Sequence, residues 1–252
     1  MPTPFYHLSV AEQILDHEQA PGYLGDFLRR NRRAFLLGNT APDVQVVSNQ
    51  PRQATHFYDL PLKNHIHLPW DELWTAYPPL AHPANLPDAQ AAFLAGYICH
   101  LQADWHWVKD IFIPVFGLHS KWSSFPQRMV LHNVLRAYLD RQILPILSNG
   151  LGYDLRRVEL KGWLPFVEDR YLLQWRDDLA GQLHPGAATR TVEVFAERQH
   201  VSLEIFTHLL DSEDQMESEV FSHVSRATLE KYRNKIVALN LKLLENYLEA
   251  VR

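Results

Sequence analysis

His100 and Asp104 stand four residues apart at the end of a segment that is apolar at every position from Ala91 to Cys99. A helix through this segment is apolar on all sides and therefore central, and it carries both polar groups on one face. A carboxylate in such a place is costly unless it is paired or coordinated. Two chemistries satisfy it: a buried hydrogen-bonded His–Asp pair, or coordination of a metal ion. Gly96 precedes the pair on the same face, where its missing side chain would leave room. The chain has fourteen histidines, with His56, His65, His67 and His82 in one quarter and His100, His106, His119 and His132 in the next. Histidine is the commonest metal ligand and titrates nearest neutrality.

Other segments offer matching donors. Gly38-Asn-Thr-Ala-Pro-Asp43 puts a carboxylate just after a helix end, and His56 follows thirteen residues later in the same stretch. His7 is read as lying immediately before the first helix. Singly, each has a plainer role as a turn cap, a solvated imidazole or a cap neighbour. Together they make a His/Asp set suited to zinc.

The elements that must position these groups are helical nearly throughout. Ser9-Val-Ala-Glu12 reads as a capping box that starts the first helix. A second helix is expected from Tyr23 to Leu37, stopped by Gly38. Residues 38–68 show little periodicity, and long loops of this kind are often functional. A short helix follows Pro69, and the strongest one opens at Asp88, read as its cap, and runs toward Asp110. A helix capped by Ser123 or Ser124, with Pro126 in its first turn, extends to Leu144. Further helices are expected over 166–179, 191–210 and 227–251, with a Gly-containing connection at 148–163. No strand-like alternation is sustained. The reading is one all-α domain over 1–252, with about eight to ten helices.

Composition narrows the function classes. Lys plus Arg number 24 and Asp plus Glu 29, for a net charge of −5, which argues against a protein built to wrap duplex nucleic acid. No run of eighteen apolar residues exists, so no transmembrane segment is expected. The N-terminal residues carry no secretory signal pattern and Cys99 is the single cysteine, which together point to a reducing cytoplasm. Oligomeric state is not legible.

The order His7 … Pro42-Asp43 … His56 … Gly96-x-x-x-His100-x-x-x-Asp104 resembles the zinc-dependent phospholipase C family, relatives of the fungal-type single-strand nucleases. The resemblance covers about residues 5–140, and beyond that rests on helical character. It implies a single all-α domain, phosphodiester hydrolysis and up to three zinc ions. It also implies that Asp43, His56, His100 and Asp104 hold one zinc, with Asp104 bridging to a second that His7 also binds. The three-zinc members use an amino-terminal tryptophan, whereas six residues precede His7 here. They also carry His-x-x-x-Glu on a later helix, and this chain has His132-Asn-Val-Leu-Arg136. One or two zinc ions are therefore expected, with Asp110, His132 and Arg136 as second-tier metal or phosphate groups.

Weaker motifs add little. His106 and Asp110 repeat the four-residue spacing. His200, Glu204 and His208 would share a helix face, but a di-iron bundle needs a second Glu-x-x-His and more glutamates. Trp70, Trp74, Trp105, Trp107 and Trp122 are candidates to wall a pocket, although aromatics at helical spacing more often build core. The expected function is zinc-dependent hydrolysis of a phosphodiester or phosphomonoester, on a small molecule or lipid, with Asp43 and Asp104 in catalytic roles. The rival is a non-catalytic metal-binding interaction or sensor protein.

Overall fold

The computed structural model describes residues 1–18, 20–62, 67–120 and 125–251. His65, Trp122, Ser123 and Ser124 lie outside the described residues. The architecture is all-α, with no strand among the described residues. In order come α1 (Pro4–Leu15), α2 (Gly22–Arg30), α3 (Arg32–Gly38), the single turns α4 (Gln45–Ser48) and α5 (Gln53–His56), and α6 (Pro69–Ala76). Next are α7 (Asp88–Trp107), α8 (Phe125–Ile143), α9 (Leu151–Arg156), α10 (Asp169–Gln182), α11 (Thr191–Arg198), α12 (Leu203–Asp211), α13 (Glu213–Gln215) and α14 (Arg226–Leu248). Ten of these have seven residues or more, at the upper end of the eight to ten anticipated.

Helix α7 is the central rod. Every residue from Ala91 to Trp105 is buried. Helices α3 and α14 lie along it, and Tyr232 of α14 donates its hydroxyl to the Ala103 carbonyl at 2.8 Å. The approach of α3 depends on two glycines. A Cβ on Gly38 would fall 1.9 Å from the Phe93 carbonyl oxygen, and one on Gly96 would fall 2.2 Å from that of Phe35. The room at Gly96 is thus filled by the backbone of α3 and is not space for a ligand. Past Trp107 the helix widens into a π-helical stretch, Val108–Phe116, which carries Pro114 inside it.

Several boundaries differ from the sequence expectation. The first helix starts at Pro4, so His7 lies inside it. Thr3 caps it by accepting from the Tyr6 amide at 3.2 Å, with proline in the first turn. The supposed capping-box residues are engaged elsewhere. Ser9 donates to the Tyr6 carbonyl at 2.7 Å, and Glu12 accepts from Arg32 at 2.6 Å and from the Ser148 amide at 3.1 Å. The helix expected over 23–37 breaks at Asn31, whose side chain bonds back to the Phe27 carbonyl at 3.0 Å. The one expected over 191–210 breaks at His200, which has a left-handed φ of 53°, before Ser202 caps α12. His200, Glu204 and His208 are exposed, and His200 lies outside α12, which carries the other two. Asp88 sits in the first turn of α7, with Pro87 at the cap. The helix expected from 166 begins at Asp169, and the connection at 148–163 contains α9.

Of the tryptophans singled out in the sequence, Trp70, Trp105 and Trp107 are buried and Trp74 packs against the core, while Trp122 lies outside the described residues. Trp107 is fully buried, Trp74 stacks on Tyr247 at 5.2 Å, and Trp105 meets Tyr58 edge-on at 5.4 Å.

Candidate metal centre

Five side chains from four segments meet beside the middle of α7. His7 comes from the first turns of α1 and Asp43 from the 3-10 turn Ala41–Val44. His56 ends α5, and His100 and Asp104 are one turn apart on α7. The turn at His56 is sharp because Phe57 takes a left-handed φ of 59°. His7, His56, His100 and Asp104 are no more than 1% exposed, and only Asp43 reaches 19%.

Distances between the donor atoms test whether an ion fits. Ligands about 2.0–2.1 Å from a tetrahedral zinc stand about 3.3–3.4 Å from one another. His56 Nε2 lies 3.4 Å from Asp104 Oδ2, 3.4 Å from His100 Nε2 and 3.6 Å from Asp43 Oδ1. His100 Nε2 lies 3.8 Å from Asp104 Oδ2. Two sets of three donors, Asp43, His56 and His100, and His7, His100 and Asp104, each lie with all their ligand atoms within 4.8 Å of one another, so each could hold an ion. His7 Nε2 lies 3.3 Å from Asp104 Oδ1, yet neither atom has a hydrogen-bond partner. Buried polar atoms in that state are rare. They face each other on the far side of Asp104, where a bridging carboxylate would present its second oxygen. The donor set is imidazole and carboxylate, which suits zinc.

The surroundings orient the ligands. His100 Nδ1 lies 2.8 Å from the Asn39 carbonyl, so its N–H points there and the Nε2 lone pair faces the cluster. His56 Nδ1 lies 3.1 Å from the Thr55 hydroxyl. The rings of His7 and His100 stack at 3.8 Å. Burial, and next the neighbouring His7, push His100 down to about 3, so it is a neutral imidazole at neutral pH. Burial alone would raise the Asp43 and Asp104 carboxyls. The adjacent imidazoles outweigh it, holding Asp43 down to about 2 and, with Arg52, Asp104 well below the carboxylate range.

Arg52 is the group that sequence reasoning missed. One of its nitrogens donates to Asp104 Oδ2 at 2.7 Å and to the Tyr58 hydroxyl at 2.7 Å, and the guanidinium lies over the Tyr58 ring. Pro51 ahead of a helical turn, with arginine four residues before His56, was the available signal.

The second-tier residues are placed apart from the five. Asp110 pairs with Lys235 at 2.6 Å and faces His106 at 3.5 Å. His132 is buried and accepts from the Trp107 indole at 3.1 Å, and burial holds it neutral. Arg136 lies on the wall of a cavity that Asp43 also lines, and burial lowers it to about 10, leaving it protonated.

Comparison with known proteins agrees with this arrangement. No curated protein and no solved structure matches the chain. The family model for zinc-dependent phospholipase C matches residues 6–157, a span that includes all five clustered side chains and more than half of the sequence. The chain belongs to the zinc-dependent phospholipase C family.

Proposed function

We propose that this chain is a zinc-dependent hydrolase of phosphate esters, phosphodiesters first, holding one or two ions. The observation that carries the reading is that five side chains from four segments form two overlapping triads, Asp43, His56 and His100, and His7, His100 and Asp104, with the donor atoms of each within 4.8 Å of one another. Held by three such donors, zinc would keep a coordination position open and would supply Lewis acidity and an activated water near neutral pH. Asp43, the one partly exposed member, faces the approach and orients the attacking water. Asp104, deeply buried, fixes the second oxygen toward His7. Arg136, which lines the same cavity as Asp43, would offset the negative charge on the phosphoryl oxygens. A main core that draws on residues from Phe5 to Leu248, beside a small second cluster of Tyr58, Trp105 and Val108, supports reading 1–252 as one domain. The lone cysteine, Cys99, is fully buried, and we place the protein in a reducing, cytoplasmic compartment on that ground.

The test is zinc-dependent hydrolysis of a chromogenic phosphodiester, phosphatidylcholine and single-stranded DNA. Activity on at least one substrate is expected, and Asp104→Asn should abolish it while the fold is kept. Zinc-loaded protein inactive on all three would leave metal binding without catalysis.

A further inference from the structure

A cavity adjoins the donor set at Asp43. It has a volume of about 660 Å³ and is lined at one end by Asp43, Arg52 and Arg136. Its walls mix apolar side chains, Val47, Trp175 and Phe195 among them, with polar ones, and Arg190 and Arg198 stand exposed on its lining. That volume is typical of a small-molecule site.

The inner arginines are underused. Arg52 commits one nitrogen to Asp104 and Tyr58, and its Nε and other terminal nitrogen are buried without partners. Arg136 gives one nitrogen to Asn133 Oδ1 at 2.9 Å and rests on the Phe195 ring, and its Nε is likewise buried and unmet. An unmet buried donor costs about 1–3 kcal/mol, and more when charged. Two guanidiniums with free donors beside a metal set suit an acceptor with several oxygens. The charges that line the cavity favour an anion as well. Against four arginines stand Asp43, which belongs to the donor set, Asp177, which is paired with Arg176 at 2.8 Å, and Asp178.

We propose that this cavity is a specificity pocket for anionic phosphate esters, with Arg52 and Arg136 receiving phosphate oxygens and the apolar side chains of its walls taking an uncharged organic group. It selects against a quaternary-ammonium headgroup. The proposal rests on the hydrolase reading for the orientation of the substrate, but binding can be measured without turnover.

Titration calorimetry on protein of known zinc content, with phenyl phosphate, glycerol 3-phosphate and phosphocholine as ligands, tests it. Phenyl phosphate should bind best, at least about tenfold tighter than phosphocholine, with glycerol 3-phosphate between them. Losing a charged hydrogen bond is worth about tenfold or more, so Arg136→Gln should weaken phenyl phosphate by that factor and Arg136→Lys by less. Exposed Arg198 cannot unfold the core, and Arg198→Gln should cost about threefold. Phosphocholine binding as tightly as phenyl phosphate, or both glutamine variants binding like the wild type, would overturn the pocket assignment. Protein that binds phenyl phosphate through Arg136 but takes up no zinc would keep the pocket and sink the hydrolase reading. Zinc-dependent turnover indifferent to ligand charge and to Arg136 would do the reverse.

Discussion

Gly96→Ala should destabilise the protein and loosen its metal site together. The new Cβ would lie 2.2 Å from the Phe35 carbonyl oxygen, 2.8 Å from the Asn39 amide nitrogen and 2.9 Å from Asn39 Nδ2. Two of the three obstacles are backbone, so α3 would have to retreat from α7 by roughly 1 Å to reach ordinary contact. Sliding gives no relief, because Gly38 is pressed as closely against Phe93 along the same seam. Overpacking of this kind costs about 1–3 kcal/mol, and the rigidity of both sides places this case at the upper end. Alanine's better helix propensity returns about 1 kcal/mol, leaving a net loss of about 2 kcal/mol. Asn39 moves with α3, and its carbonyl fixes the His100 ring at 2.8 Å. Loss of such an orienting contact lowers metal affinity about tenfold or more. Urea titration of metal-free protein gives the first quantity as a shift in midpoint at unchanged slope, and zinc competition gives the second. Gly181→Ala is the control. Gly181 lies in α10 with open space around its Cβ position, so that variant should gain about 0.5–1 kcal/mol. A Gly96→Ala protein as stable as the wild type would refute the claimed closeness of α3 and α7.

Three further outcomes are expected. His100→Ala should lose most of the one or two equivalents of zinc measured by elemental analysis, and full retention would remove His100 from the ligand set. Zinc at about a thousand times its dissociation constant adds about 4 kcal/mol, so chelation should lower the melting temperature by roughly 10 °C in a chain of this size; an unchanged curve with confirmed metal loss would favour a metal-free His–Asp cluster. Asp140 is 1% exposed, and burial raises its pKa to about 6 despite hydrogen bonds from Thr3 and Thr191. The folded state therefore holds this proton more tightly than the unfolded chain, and the stability it provides below about pH 4 is lost as pH rises through 6. Asp140→Asn should be more stable than the wild type by about 1–3 kcal/mol at pH 8 and indistinguishable at pH 3.5, and equal stability at pH 8 would contradict the raised value.

The legible parts of this molecule were those fixed by local chemistry. An unbroken apolar run ending in His100 and Asp104 announces a buried polar face whatever surrounds it, and the order of the remaining ligands carried the family resemblance. What failed depended on competition between local signals or on distant neighbours. Ser9-Val-Ala-Glu12 has the form of a capping box, but Thr3-Pro4 upstream is an equally good start, and Glu12 is claimed by Arg32 and the Ser148 amide. Nothing near Asn31 distinguishes a continued helix from one whose side chain turns back on the preceding carbonyl. The glycine at 96 signals a close approach, but sequence cannot say whether a ligand or another backbone makes it. Arg52 had only the local signal of an arginine four residues before His56, since its partner Asp104 is fifty-two residues away.

The energetics of the centre bear on why it exists. Three imidazoles and two carboxylates in and beside the wall of α7 are expensive, and apolar replacements of similar volume are often neutral or stabilising in such places. Arg52, the Asn39 carbonyl and the Thr55 hydroxyl meet part of that cost, yet His7 Nε2 and Asp104 Oδ1 stay unmet. A cluster maintained only for structure would have little reason to leave two facing polar atoms without partners. One that binds a cation has a direct reason, because atoms already satisfied by the protein would have to be released before they could become ligands. The same logic holds for the buried, unpartnered nitrogens of Arg52 and Arg136. The unmet acceptors, His7 Nε2 and Asp104 Oδ1, belong to the donor set, and the unmet donors belong to two arginines that line the adjoining cavity. That polarity is what a metal-assisted phosphate hydrolase requires of its apoprotein.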